Sequence, residues 1–183
     1  IVGSLLIPFV LMPAIGSPLI IALLALANAA MAIVLAVVDD VRSRAVRVIA
    51  GVATAAVIVT AAQPGAVRQP NEAFIAAEGG TLFASTEDEI ASVQAGQIGP
   101  TPELWVAGTS MTLLTVDAKL MPILPLIARP DADRALVVAF GMGTAFRAAL
   151  IAGLETDVVE LVPSVPDMFG FYYPDAAQVL ADP

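Results

Sequence analysis

Hydrophobic and polar positions divide this chain into two differently patterned parts. Up to residue 62 apolar side chains run almost unbroken, interrupted by one short charged loop, Asp39–Arg47. Leu19–Val38 is twenty residues without a charge, and about 20 residues suffice to cross a hydrocarbon core about 30 Å thick as a helix. Its Leu, Ile and Val outweigh the cost of the lone Asn28, which is placed to bond across to a neighbouring helix. Ile1–Ile15 is equally apolar but about five residues short of a span, and predicts the tail of a helix whose beginning is missing. Pro8, Pro13 and Pro18 are tolerable in a membrane bundle, where neighbouring helices satisfy the freed groups. A third apolar segment at about 46–62 is rich in small residues that suit close packing, and Arg47 can snorkel to lengthen it. Residues 1–62 therefore predict transmembrane helices, hence membrane lipid as a partner and a multi-pass location.

The pattern then changes. Residues 63–74 read as a linker opened by Gln63-Pro64-Gly65, because Pro and Gly end a helix. Asn71–Thr86 is mixed, with a turn at Gly79-Gly80. Within 75–128, read as a β-hairpin region, the character changes from Glu87. Ile90–Ile98 predicts a strand and Gly99–Pro102 a turn. Glu103–Val106 and Ser110–Val116 predict a β-hairpin around Ala107-Gly108-Thr109. Asp117–Ile127 predicts a short helix broken by Pro122 and Pro125, with Asp117 either its N-cap or a contact for a cationic substrate.

From residue 129 onward the order suggests an α/β unit. Leu136–Phe140 is a short valine-rich run, as expected of a strand buried on both faces of a parallel sheet. Gly141-Met142-Gly143 permits a sharp turn against which a ligand can lie. The helix starting at Thr144 would aim its amides over that turn. Asp157–Leu161 predicts a second strand, and Glu160 falls about twenty residues after Gly141, where an acid accepts ribose hydroxyls in nucleotide-binding βαβ units. A dinucleotide fingerprint wants Gly or Ala where Phe146 stands, and no Gly-Lys-Ser/Thr phosphate loop is present. The pattern suits an S-adenosyl-type nucleoside better than NAD or ATP. The candidate cofactor-binding residues are Gly141, Met142, Gly143, Thr144 and Glu160.

Composition narrows the chemistry. The chain of 183 residues is 58% hydrophobic and 14% charged, against about 45–50% and about 25% in ordinary soluble domains. The excess lies in the first third and supports a membrane reading. The net charge of −9, without basic clusters, argues against nucleic acid as a partner. Cys and His are absent, which removes thiolate or imidazole metal sites and any Ser-His or Cys-His nucleophile. No metal is expected. Catalysis would rest on carboxylates, Lys119, tyrosines or positioning. The charges at Arg42, Arg44 and Arg47 place the first loop in the cytoplasm by the positive-inside rule, while a nucleoside co-substrate argues the reverse, so the side of the polar domain stays open, as does a homo-oligomeric state.

Taken in order, LWVAGTSMT, LPL, ALVVAFGMGT, DVVELVPSV and YYPDAAQVLADP resemble the spermidine synthases. The likeness is strongest to the bacterial membrane-fused spermidine synthase-like proteins, in which transmembrane helices precede an enzyme-like domain. It covers residues 75–183. It implies transmembrane helices followed by an α/β region: a small β-hairpin region at 75–128, then the first part of a methyltransferase-like Rossmann domain at 129–183. It implies aminopropyl transfer from decarboxylated S-adenosylmethionine to a polyamine or other small amine. Gly141 and Gly143 would lie under the nucleoside and Glu160 would take its ribose. The family's catalytic Asp would follow Pro183, so this chain contains no catalytic residue and by itself is expected to be inactive. Ala107 and Met111 stand where the family has Asp and Gln, and Ala118-Lys119 follows Asp117 where it has Glu. Two alternatives remain: a methyltransferase using S-adenosylmethionine, and an inactive membrane transport or sensing protein that kept the fold.

Overall fold

The computed structural model describes residues 2–38, 44–61, 63 and 67–181, in two units, Ile1–Gln69 and Pro70–Pro183. Most of the expected charged loop, 39–43, and the start of the expected linker, 64–66, lie outside the described residues.

In the first unit, α1 (Val2–Leu6) passes through a π-helical stretch, Ile7–Leu11, into α2 (Met12–Val38). The separate fragments expected at 1–15 and 19–38 are thus one helical run, with a break inside it. Gly16 has φ 75° and ψ 154°, far from helical values. The break moves Pro18 into the opening turn of the helical stretch beyond it, where a missing N–H costs nothing. Val2–Leu35 is the one helix among the described residues long and apolar enough to cross a membrane. α3 (Arg44–Ala61) has a shorter apolar part, Val48–Thr60, about 20 Å long at 1.5 Å per residue, short of a hydrocarbon core. Several full spans are therefore not what these helices provide. α2 and α3 pack together, with Ile20, Ala29 and Thr54 buried. The Thr54 hydroxyl donates to the Ala29 carbonyl across them at 3.5 Å. Asn28, expected to reach another helix, instead donates to Leu24 of its own helix at 2.8 Å. A carbonyl one turn back is the nearer acceptor.

The second unit opens with α4 (Pro70–Ala77), a helix where linker and mixed sequence were expected. Pro70 at its start is compatible with a first helical turn. β1 (Thr81–Glu87), β2 (Ser92–Ile98), β3 (Thr101–Val106) and β4 (Thr109–Leu113) form an antiparallel sheet in that order. β2 is buried on both faces. Val93 and Ala95 enter the main core, while Gln94 turns to the other face and accepts the Asn71 side-chain amide of α4 at 2.9 Å. The β3–β4 loop is Ala107-Gly108, both at positive φ, 51° and 84°, the geometry that matches the twist of a two-residue hairpin.

α5 (Val116–Ala128) follows. Its N-cap is Thr115, not Asp117; Asp117 lies one residue inside the helix, exposed. Pro122 and Pro125 remain within it. Each removes one ladder amide, but the helix continues to Arg129, whose N–H donates to the Pro125 carbonyl at 2.9 Å.

β5 (Arg134–Val138), α6 (Thr144–Ile151) and β6 (Glu155–Val159) complete a strand–helix–strand unit, with β5 and β6 paired in parallel, Leu136 opposite Asp157 and Val138 opposite Val159. Both strands begin and end two residues earlier than their apolar runs suggest, and β5 stops where Ala139, at φ 72°, leaves the extended region. The expectation that the first strand is buried on both faces is corrected: Leu136 is 64% and Val138 74% exposed. Among the described residues this sheet has only two strands, and α6 packs on one side of it. A 3₁₀ turn, Pro166–Phe171, and α7 (Ala176–Leu180) end the described chain.

One core joins these parts. Val93, Ala95 and Leu104 of the antiparallel sheet meet Phe140, Met142 and Phe146 around the glycine turn, and Val165, Phe169 and Tyr173 of the tail lie between them. Edge-to-face packing of Phe140 on Phe169, centroids 5.2 Å apart, is a favoured aromatic geometry. The hairpin region and the strand–helix–strand unit are thereby held in fixed relation.

Candidate functional site

The glycine turn sits where β5 gives way to α6. Ala139 keeps a last ladder bond, its N–H donating to the Val159 carbonyl at 2.8 Å, and the chain then turns through Phe140–Gly143. The two glycines differ in what surrounds them. A Cβ on Gly143 would stand 2.4 Å from the Phe169 ring and 2.9 Å from that of Phe140. Its face is therefore already filled by the protein's own aromatic core. A Cβ on Gly141 would meet only Thr112 Cγ2 of β4, at 3.7 Å. Gly141, half-buried, is the side of the turn a ligand could approach, and the hairpin sheet supplies its neighbour there.

Glu160, just past β6, faces this turn. Its Oε2 accepts the Phe140 N–H at 2.8 Å across twenty positions of chain. Its Oε1 accepts the amides of Leu161 at 2.8 Å and Val162 at 3.0 Å. The nearby Gly141 amide also favours the charged form of the carboxylate. Partial burial pushes its pKa up, but the surrounding backbone amides outweigh that and hold it below its ordinary 4.5. The acid is ionised and turned toward the glycines.

The other candidates are placed differently. Met142 is 2% exposed, its side chain in the core. Thr144 is buried and its hydroxyl accepts from the Tyr173 phenol at 2.9 Å. Neither side chain reaches the open side of the turn, and only their backbones are left to meet a ligand. Asp117 makes no side-chain hydrogen bond or ion pair among the described residues. No group of three or more acidic, Cys or His side chains that could hold a metal occurs among the described residues.

Two linked groups escape sequence reading. Asp88, between β1 and β2, accepts the Ile90 and Ala91 amides at 2.8 Å on one oxygen and the Ser164 hydroxyl at 2.6 Å on the other. Burial raises its pKa, but these bonds win and hold it below the ordinary 3.8. It ties the hairpin sheet to the segment that follows Glu160. Arg147 of α6 donates to both Asp175 oxygens, from Nε at 3.0 Å to each and from Nη2 at 2.7 Å to Oδ2, and lies 4.9 Å over the Tyr173 ring. That hydrogen bonding raises the Arg147 pKa and depresses that of Asp175. Only the Asp-x-Ile-Ala spacing of Asp88, typical of a side chain capping its own turn, carried any advance signal. The partners 28 and 76 residues away carried none.

A cavity of about 550 Å³ lies elsewhere, among α5, β5 and the start of α6, lined by Met121, Pro122, Pro125, Ala145 and β5 itself. It includes neither Gly141 nor Glu160. Its size is that of a ligand pocket, but it has few polar groups to orient one, and the glycine turn with its acid is the better-equipped site.

No family model, curated protein or solved structure matches this chain.

Proposed function

We propose that the second unit binds an S-adenosyl-type nucleoside at Gly141 and Glu160, as the nucleoside-binding part of a membrane-anchored, spermidine synthase-like protein. The observation that carries this reading is the parallel β5–β6 pair with an ionised carboxylate at the end of β6 turned toward an open glycine at the end of β5. A sugar diol fits such an acid, and a base and sulfur-bearing chain fit the space against Gly141. β5, α6 and β6 are read as the start of a Rossmann-like sheet. The reaction assigned is aminopropyl transfer from decarboxylated S-adenosylmethionine to a polyamine, in a longer protein that supplies the acid holding the amine. The apolar helical run Val2–Leu35 anchors it in the bilayer, with α3 packed against it.

Calorimetry of the full chain with 5′-methylthioadenosine tests the site. Binding is expected, with affinity weakened about tenfold or more by Glu160→Ala while far-ultraviolet circular dichroism is retained. Absence of binding rejects the reading. A methylated product from the longer protein would assign a methyltransferase instead. A second reading, binding without turnover, is favoured by Ala107, Met111 and Lys119 and by a carboxylate on which three internal donors already sit. It predicts nucleoside binding and no product.

A further inference from the structure

We infer that Glu160 holds one hydroxyl of the sugar diol and not both: that hydroxyl donates to Oε2 and accepts the Gly141 N–H. This rests on the nucleoside reading above and names the contact within it. An ionised carboxylate offers about four acceptor positions, two on each oxygen. Oε1 accepts the amides of Leu161 at 2.8 Å and Val162 at 3.0 Å, which uses both of its positions. Oε2 accepts the Phe140 amide at 2.8 Å and no other donor at hydrogen-bond geometry among the described residues. One position is therefore left, on the oxygen that meets the glycine turn.

The other half of the contact is a backbone group. The Gly141 amide lies near enough to the carboxylate to favour its charged form, but has no acceptor at hydrogen-bond geometry among the described residues. Its neighbours are committed: the Phe140 N–H donates to Oε2, and the Gly143 N–H donates to the Phe140 carbonyl at 2.9 Å. Gly141 is half-buried, and only the Thr112 methyl bounds the space beside it. A hydroxyl donates one proton and accepts on its oxygen. It therefore satisfies an open carboxylate position and an unspent N–H together, and every existing bond of the turn is kept. A second hydroxyl finds no position left on Glu160, so the other half of the diol is read by water or by groups elsewhere.

Calorimetry of the full chain in detergent micelles tests this, with 5′-methylthioadenosine and its 2′-deoxy and 3′-deoxy analogues as probes, in the native chain and in Glu160→Ala. One analogue should bind the native chain about tenfold or more weaker than the parent compound. That loss should shrink to about twofold or less in Glu160→Ala, while the effect of the other hydroxyl should be the same in both chains. Dependence of both hydroxyls on Glu160 overturns the single contact, and so does dependence of neither. Amide hydrogen exchange in the native chain gives a second readout that needs no variant to fold. At saturation with methylthioadenosine, protection of Gly141 should rise about tenfold or more, and should rise with only one of the two analogues. Gly141 protection unchanged with methylthioadenosine bound overturns the contact and leaves the nucleoside site standing. No binding of methylthioadenosine at all removes the site and the contact together.

Discussion

At the scale of single residues, three backbone positions around the turn adopt positive φ and have different reasons for their identity. Ala139 has a side chain at φ 72°, a conformation that costs an L-residue about 1–2 kcal/mol. Ala139→Gly should stabilise the chain by about 0.5–1 kcal/mol, the relief being partly offset by the entropy of a freer unfolded chain; the thermal midpoint measures it. Gly143→Ala adds a Cβ into the Phe169 ring as well as the backbone cost and should destabilise by about 2–4 kcal/mol. Gly141→Ala meets no such obstruction, and should cost about half as much. Equal losses at the two glycines would contradict the packing described for Gly143. Glu160 sets a pH dependence. Its folded pKa is depressed, so its contribution is fully present above its unfolded value, near 4.5, and is lost as pH falls through the lower folded one. The unfolding midpoint should hold steady above about pH 5 and fall below about pH 4, less steeply in Glu160→Gln.

At the scale of elements, the antiparallel sheet and the strand–helix–strand unit are joined by a few long-range bonds besides the apolar core. Asp88 to Ser164 is one, and the Tyr172 phenol donating to the Glu103 carbonyl at 2.8 Å is another. Burial raises the Tyr172 pKa, so this phenol stays a donor at any ordinary pH. Asp88→Ala removes four bonds at once and should cost about 1–3 kcal/mol. Because Ser164 lies close after Glu160, nucleoside affinity should fall with it. A variant that loses stability but binds nucleoside with unchanged affinity would show that this tie does not position the acid. α5 illustrates the limits of a local rule. Two prolines argue for a broken helix, but packing against α6 holds thirteen residues in one.

At the scale of the molecule, the chain combines an apolar helical unit with an acidic α/β unit. The parallel pair is the exposed part of the latter: Leu136, Val138, Val159 and Leu161 lie between 57% and 75% exposed on or just past the two strands. Parallel strands are ordinarily covered on both faces, so this surface favours association. Leu161→Glu should leave the thermal midpoint nearly unchanged and lower concentration-dependent self-association, read by analytical ultracentrifugation in detergent. A large drop in the midpoint would mean that the side chain is covered in solution.

The membrane-length run, the β3–β4 hairpin at Ala107-Gly108, the order of β5, α6 and β6, and the acid at Glu160 were all legible in the sequence. Each is written in local period, turn chemistry or spacing. α4 and β1 were not, because Asn71–Thr86 carries no clear period and owes its structure to Ile75, Asn71 and their contacts with β2. The break between the first two apolar segments is a single dihedral, at Gly16, and the helix continues on both sides of it. Which glycine is open and which is filled was settled by Phe169, 26 residues downstream of Gly143, and which donors reach Glu160 by a strand end twenty residues upstream. The order of secondary elements follows from the chain's own residues, since near neighbours set it. The occupancy of a turn and of a carboxylate depends on groups that only folding brings within reach.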